Sequence, residues 1–430
     1  MPGRRHKAGT VARSAAGRAA VLTLLPAALL ATGPAIGSAQ TVGQLVRSDD
    51  LAALRSIGVP AAWARTKGSG VTVAVLDTGV DTSAADLSGS VTVGPDYTVG
   101  ANPPGYQPPH LHGTYIASII AGHGSGPGET EGMLGVAPAA RILSVRVLLD
   151  DSEPGFGVYN GNAAYYDAIA SGISYAVAHG ASVINMSLGG PELTRSLRQA
   201  VASAIAHDVV VVAAAGNDGT AGAGFTGYSY PAALTGVIGV AALGAGGQRA
   251  SFSDRNSSVV VSAPGVSIAG AGPGGEYISG DGTSPASAFV AGVAALIRSA
   301  YPHLTPVQVM QAIVTSTTNR PPGGYSPGVG FGEVNAAAAL TAAGKLAQPA
   351  AGSSGQAEAA HFGRGRVGPI VVVPRDAAQI AAPAAVAGVT LIGFLAATMT
   401  LVALARRRRR RRRPVTAYDL QMRGLDDNTT

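Results

Sequence analysis

Four short, almost unbroken apolar runs constrain this chain more than any other feature. They are VTVAVL (71–76), ILSVRVL (142–148), SVINMS (182–187) and VVVVAAA (209–215), and many of their residues are β-branched. A strand with one wet face alternates apolar and polar residues, whereas runs apolar on both faces suit strands covered on both sides of a parallel sheet. Helix-period patterns over 113–122, 161–179 and 194–207 lie between the runs, and Gly180 gives the second a natural stop. Strand alternating with helix predicts an α/β fold with a mainly parallel central sheet. Two further helices are expected over 284–300 and 305–318, the latter opening on Thr305-Pro306. The stretches 98–109 and 124–132, rich in Pro and Gly, read as surface loops.

Charge divides the chain into segments. Residues 1–39 carry five basic groups and no acid, residues 40–383 carry 16 basic and 21 acidic groups, and residues 384–430 carry nine arginines and three aspartates. The formal charge of +6 therefore belongs to the tails. The body is mildly acidic, which speaks against nucleic acid as its partner. Arg4, Arg5, Lys7, Arg13 and Arg18 stand ahead of or at the edge of the apolar stretch 19–31, and the small residues of GSAQ (37–40) follow. That pattern predicts a signal peptide over 1–39, cleaved after Ala39. His6-Lys7 after the arginine pair is not apolar, so general export is expected rather than the twin-arginine route.

At the other end, 384–405 holds no charge, and as a helix it would be about 33 Å long, enough to span hydrocarbon. The eight arginines 406–413 follow, and the positive-inside rule puts the 406–430 tail in the cytoplasm. The expected topology is a body outside the cell membrane, one span and a short inner tail. Between body and span, 343–383 reads as an Ala/Gly/Pro-rich linker, with VGPIVVVP (367–374) able to form a short strand. There is no cysteine. That rules out a thiol nucleophile, thiolate-bound zinc and disulfides, so stability rests on the size of the core.

Four segments could carry chemistry. VAVLDTGVD (73–81) places Asp77 just past a buried strand, where it could orient a histidine or simply cap a turn. In PPHLHGTYIASIIAG (108–122), His112 stands at a helix start, where the helix dipole disfavours the imidazolium and helps the ring act as a base. His110, two residues earlier in the Pro-rich loop, reads as solvated, and no HExxH pattern supports a metal there. VVVVAAAGNDG (209–219) ends in Asn217, an amide able to donate to an oxyanion or to form an Asn-Asp-Gly turn. INMSLGGP (184–191) offers Ser187, Leu188 and Gly189, whose backbone could pair with an extended peptide while the glycines leave room for a side chain. SGDGTSPASAFVAGVAALI (279–297) places Ser284 at the head of an apolar helix, as its cap or as a nucleophile.

Asp77, His112, Asn217 and Ser284, within DTGVD, HGT, AAAGN and GTS, resemble the subtilisin-like serine protease family, the subtilases. The order Asp, His, Ser is that of subtilisins. The resemblance covers about 61–342 and implies a three-layer subtilisin-like fold and a serine endopeptidase acting on polypeptides. It makes Ser284 the nucleophile, His112 the base, Asp77 its orienting acid and Asn217 the oxyanion donor, with Ser187, Leu188 and Gly189 binding substrate. No cofactor is implied for the chemistry. Calcium is common in the family, but no acidic ligand run locates a site here.

Two departures stand out. Subtilases usually read Ser-x-Ala-x-Pro from the nucleophile, whereas Pro285 follows Ser284 directly here, which bears on rate more than on fold. Tyr115 stands where many relatives carry histidine or a small residue, and reads as packing.

The signal, the short 40–60 extension, the single span and the basic tail resemble mycosins, the membrane-anchored subtilases associated with type VII secretion. The rival reading is an inert subtilase-like scaffold in a secretion complex. GAGPGG (270–275) fits neither GxxxxGK[ST] nor a strand–GxGxxG–helix unit, so it gives no support to nucleotide binding.

Overall fold

In the computed structural model, all four apolar runs form strands, and they lie side by side in one sheet. The structure describes residues 40–165, 167–220, 224 and 226–348, together with Thr23, Leu24 and Met399. In chain order the elements are α1 (Val42–Ser56), β1 (Thr72–Asp77), β2 (Val91–Asp96), α2 (Leu111–Ala121), β3 (His123–Ser125), β4 (Glu131–Leu134), β5 (Arg141–Arg146), α3 (Ala168–Ala178), β6 (Val183–Met186), α4 (Arg195–Ala206), β7 (Val210–Ala214), β8 (Val237–Leu243), β9 (Val259–Pro264), β10 (Ile268–Ala271), β11 (Tyr277–Gly280), α5 (Thr283–Ala300), α6 (Pro306–Thr315) and α7 (Ala336–Ala347). Helices of six residues or fewer and the two-residue strand Thr23–Leu24, which pairs with β11, are left unlabelled.

The central sheet has seven strands in the order β9-β8-β7-β6-β1-β5-β2. All its neighbours run parallel. The strand period of two divides its side chains between two cores. Val73 and Val75 of β1 enter one core with α2, α5, α6 and α7, while Ala74 and Leu76 enter the other with α3 and α4. The result is the expected three layers.

Helix burial follows composition. In α4, Leu197, Ala200, Val201 and Ala204 are buried at i, i+3, i+4 and i+7, one stripe against the sheet. In α5 every residue from Thr283 to Arg298 is buried, as an all-round apolar helix demands.

Several elements depart from the sequence expectations. The helix expected over 161–179 starts only at Ala168, because Asn162 Oδ1 accepts the Ala164 N–H at 2.9 Å and offers the backbone a turn instead. The stretch 124–132 is a short antiparallel hairpin of β3 and β4 rather than an open loop. Sheet strands β2 and β8 lack long β-branched runs: β2 contains Pro95, tolerated at a sheet edge, and β8 contains Gly239 and two alanines.

The 40–60 segment forms α1, closed by a Thr41/Gln44 capping box. Arg47 ties it to the hairpin through the carbonyls of Glu131 at 2.7 Å and Gly132 at 2.8 Å. Asp50 accepts the Leu134 N–H at 2.7 Å, and burial pushes its carboxyl up to about 8. Among the described residues, no helix is long and apolar enough to cross a membrane. The expected span 384–405 and tail 406–430 lie outside the described residues apart from Met399, as does the signal peptide apart from Thr23 and Leu24.

Candidate active site

The sheet reverses its order of construction at β1: β5 and β2 lie on one side of it, β6 to β9 on the other. In open parallel sheets, the carboxyl ends of the strands at such a reversal leave a crevice. A cleft of about 420 Å³ is lined there by His112, Ser187, Leu188, Gly189, Asn217 and Ser284, among others.

Asp77 is the last residue of β1 and has no exposed surface. Its Oδ1 accepts from His112 Nδ1 at 2.7 Å and from the Thr78 N–H at 2.7 Å. With the proton fixed on Nδ1, the Nε2 lone pair of His112 is left for the cleft. The ring is 19 % exposed. Burial opposes the imidazolium, but the charge and hydrogen bond of Asp77, followed by the charges of Asp150 and Asp151, hold the His112 pKa above its ordinary 6.5.

Ser284 is the second residue of α5 rather than its cap; Gly282 occupies the cap position. The Ser284 N–H is therefore one of the first-turn donors that no intrahelical acceptor can reach. Pro285 comes third, where its missing N–H costs nothing. Asn217 Oδ1 accepts both the N–H and the hydroxyl of Thr283, each at 2.9 Å, which fixes the amide orientation and frees Nδ2 as a donor. A Cβ built on Gly282 would lie 3.5 Å from Ser284 N and 3.6 Å from Asn217 Nδ2, so the two donors face one small space. Such paired donors suit an oxyanion.

Ser284 is 8 % exposed, and its hydroxyl donates to the Ser187 carbonyl at 3.0 Å. Among the described residues, no hydrogen bond joins it to His112. The Ser187 hydroxyl turns inward, donating to the Ser284 carbonyl at 3.0 Å and lying 2.9 Å from the Ser287 hydroxyl. Leu188 and Gly189 remain on the cleft wall, while Gly190 pairs with Tyr230 through two backbone hydrogen bonds.

Two histidine-helix expectations resolve differently. Tyr115 does pack: it is 2 % exposed, and its hydroxyl donates to the Ile268 carbonyl at 3.0 Å. His110 is half-buried and engaged rather than freely solvated. It takes a left-handed conformation at φ 55°, and its Nδ1 lies 2.8 Å from the Thr78 carbonyl and 3.2 Å from Arg146. The ring rests on Gly79, where any Cβ would collide with it.

The sequence reading missed a buried network behind His112. Arg146, at the end of β5, forms an ion pair with Glu153 at 2.8 Å, and Glu153 accepts the Asp150 N–H at 2.9 Å. The Asp150 carboxylate in turn accepts the Leu111 and His112 N–H groups at 3.3 and 3.4 Å, at the positive end of α2. Burial, then the nearby Asp77 charge, raises the Asp150 pKa. The available signal was an arginine inside an apolar strand run, with Asp-Asp-Ser-Glu close behind. Among the described residues, no group of three or more His, Cys, Asp or Glu side chains is placed to hold a metal ion.

The profile of the subtilase family, peptidase family S8, matches residues 68–332. The chain belongs to the subtilase family. Over 257 residues it is 41 % identical to subtilisin DY of Bacillus licheniformis, covering 59 % of this chain and 85 % of that protein. Over 253 residues it is 42 % identical to subtilisin E of Bacillus subtilis, covering 58 % of this chain and 61 % of that one.

Two solved structures extend the likeness. Fervidolysin of Fervidobacterium pennivorans, a keratinolytic enzyme, superposes with a TM-score of 0.59 at 30 % identity, over 71 % of this chain and 48 % of its own. MycP1 with its N-terminal propeptide removed gives 0.56 at 29 % identity, over 67 % of this chain and 96 % of its own. The subtilase is a serine endopeptidase.

Proposed function

We propose that this subtilase is an exported, membrane-anchored endopeptidase that cuts polypeptides through an Asp77–His112–Ser284 triad, of the mycosin kind and acting beside a type VII secretion complex. His112 Nε2 takes the Ser284 proton as Oγ attacks the scissile carbonyl. Asn217 Nδ2 and the Ser284 N–H hold the oxyanion, at the positive end of the 18-residue α5. Collapse expels the amine, which leaves with the proton from His112. Water then repeats the sequence on the acyl-enzyme and restores the Ser284 hydroxyl. Each proton has a side chain to carry it, so on this reading the chemistry needs no cofactor. Backbone groups of Ser187, Leu188 and Gly189 hold the substrate in extended form.

The single observation carrying this reading is the 2.7 Å Asp77–His112 hydrogen bond at a cleft that Ser284 and Asn217 share. Likeness to MycP1, the apolar 384–405 stretch and the arginine run after it support anchoring and the secretion setting. One observation favours the rival, an inert scaffold: the Ser284 hydroxyl rests on the Ser187 carbonyl.

A fluorophosphonate probe decides between them. The expected result is covalent labelling of the wild type that disappears in Ser284→Ala. No labelling of folded wild type, or equal labelling of the variant, would refute the assignment.

A further inference from the structure

Among the described residues, the cleft walls carry four aspartates, Asp150, Asp151, Asp218 and Asp254, and neither lysine nor arginine. Three of the four are accounted for by position: Asp150 holds the start of α2, and Asp151 and Asp218 are exposed at the rim. Asp254 is different. It is only 2 % exposed, yet it lines the cleft.

Its placement follows from Gly216. The Asp254 N–H donates to the Gly216 carbonyl at 3.0 Å, and a Cβ on Gly216 would run into Asp254 Oδ2. With no side chain at 216, at φ 114°, the carboxylate reaches the cleft past that residue. Oδ1 accepts the Asp218 N–H at 2.9 Å. The Gly219 N–H also acts on the carboxylate, but among the described residues no ion pair engages it. A carboxylate that has little solvent contact and opens onto a cleft is stabilised by a cationic partner there.

The position of Asp254 relative to the reacting atoms sets what such a partner is. A peptide carbonyl attacked by Ser284 with its oxygen toward Asn217 has its own Cα one bond away. The side chain on that Cα, the P1 side chain, would enter the part of the cleft lined by Leu188 and Gly189 on one side and Ala214 and Gly216 on the other. Ser229 and Asp254 close that space: a Cβ on Gly189 would collide with the Ser229 hydroxyl, and one on Gly216 with Asp254. The space therefore ends in a hydroxyl and a carboxylate rather than in apolar groups.

We infer that Asp254 makes this subtilase selective for a cationic P1 residue, lysine or arginine, in its polypeptide substrate. The inference rests on the catalytic reading above. A chain of methylenes matches the alanine and glycine walls, and the terminal ammonium or guanidinium meets Asp254 Oδ2 and the Ser229 hydroxyl. The carboxylate is ionised at neutral pH and lost in acid: burial, then the charge of Asp218, pushes it up to about 6 against the opposing effects of Arg249 and the Asp218 and Gly219 N–H groups. Asp218 and Arg249 are the charged groups that act on it. The Arg249 guanidinium is engaged with the carbonyls of Ala250, Ser251 and Ser253 and does not neutralise it as an ion pair.

The test is kcat/KM for fluorogenic peptides differing only at P1, with Lys, Arg, Leu or Ala, on the purified protein and on Asp254→Asn. The wild type is expected to favour Lys and Arg over Leu by about tenfold or more, the scale of one hydrogen bond to a charged group. Asp254→Asn is expected to remove that ratio. The wild-type ratio should also fall between pH 7 and pH 5 as Asp254 takes up a proton, and His112 titration cancels because both substrates share it. If Asp254→Asn fails to fold, the wild-type pH series decides alone. A wild type that cuts after Leu or Ala at least as well, or a basic preference that survives Asp254→Asn or pH 5, would overturn the inference. Fluorophosphonate labelling of the wild type keeps the two readings apart, since an inert Ser284 abolishes labelling whereas a mistaken Asp254 leaves it intact.

Discussion

The two walls of the cleft are built differently. On the β1–α2 wall, the charged side chains are engaged within the protein: Asp77 Oδ1 with His112, Asp150 with the first N–H groups of α2, and Glu153 with Arg146, although Asp77 Oδ2 has no partner among the described residues. On the β6–β7 wall, donors and acceptors face outward, with Asn217 Nδ2, the Leu188 and Gly189 backbone and the Asp254 carboxylate open to something else. A reaction centre must hold its geometry before substrate arrives, so its hydrogen bonds are spent in advance. A recognition surface must keep its own unspent. Changes on the first wall should therefore alter rate for every substrate alike, and changes on the second should alter which substrate is cut.

Asn217 sits on the recognition wall but, in the proposed mechanism, serves the transition state, so it is the hardest case for this contrast. Asn217→Ala is expected to lower kcat by about 10²–10³-fold, a range known from subtilisins themselves, with KM little changed. Steady-state kinetics on the Lys and Leu peptides check it. A loss that differs between the two peptides would blur the distinction between the walls.

A smaller effect sharpens it. Asp77, Asp150 and Asp151 hold the His112 pKa above 6.5, and in the proposed mechanism the neutral ring is the base, so kcat/KM should fall as pH drops through that raised value. Asp150→Asn removes one of these charges and keeps an acceptor for the α2 N–H groups. The acid limb of kcat/KM is expected to move to lower pH by less than about one unit. An unmoved limb would mean that Asp150 acts on the α2 backbone alone.

The same contrast explains how much the sequence could reveal. Asp77, His112, Asn217 and Ser284 each need particular backbone neighbours, and DTG, HGT, AGN and GTS carry those needs as local text. The sheet strands β1, β5, β6 and β7 were legible because burial on both faces leaves an unbroken apolar run. Asp150 and Asp254 had no such text. Their neighbours read as ordinary polar loop, and their partners lie 39 and 36 residues away at Leu111 and Asp218. His110 misled for a related reason: its Pro-rich loop suggests solvent, while Gly79, far off in sequence, supplies the surface on which it rests. The inward turn of the Ser187 hydroxyl likewise depends on α5, about a hundred residues on.

In the proposed mechanism, side chains from separate segments act as one catalytic unit. Turnover of one peptide by Ser284→Ala, His112→Ala and the double variant tests it most directly. Groups that act together are lost together, as they are in subtilisins, so the double variant should be no slower than the slower single one. Two losses that multiply would show that Ser284 and His112 work independently rather than as one unit.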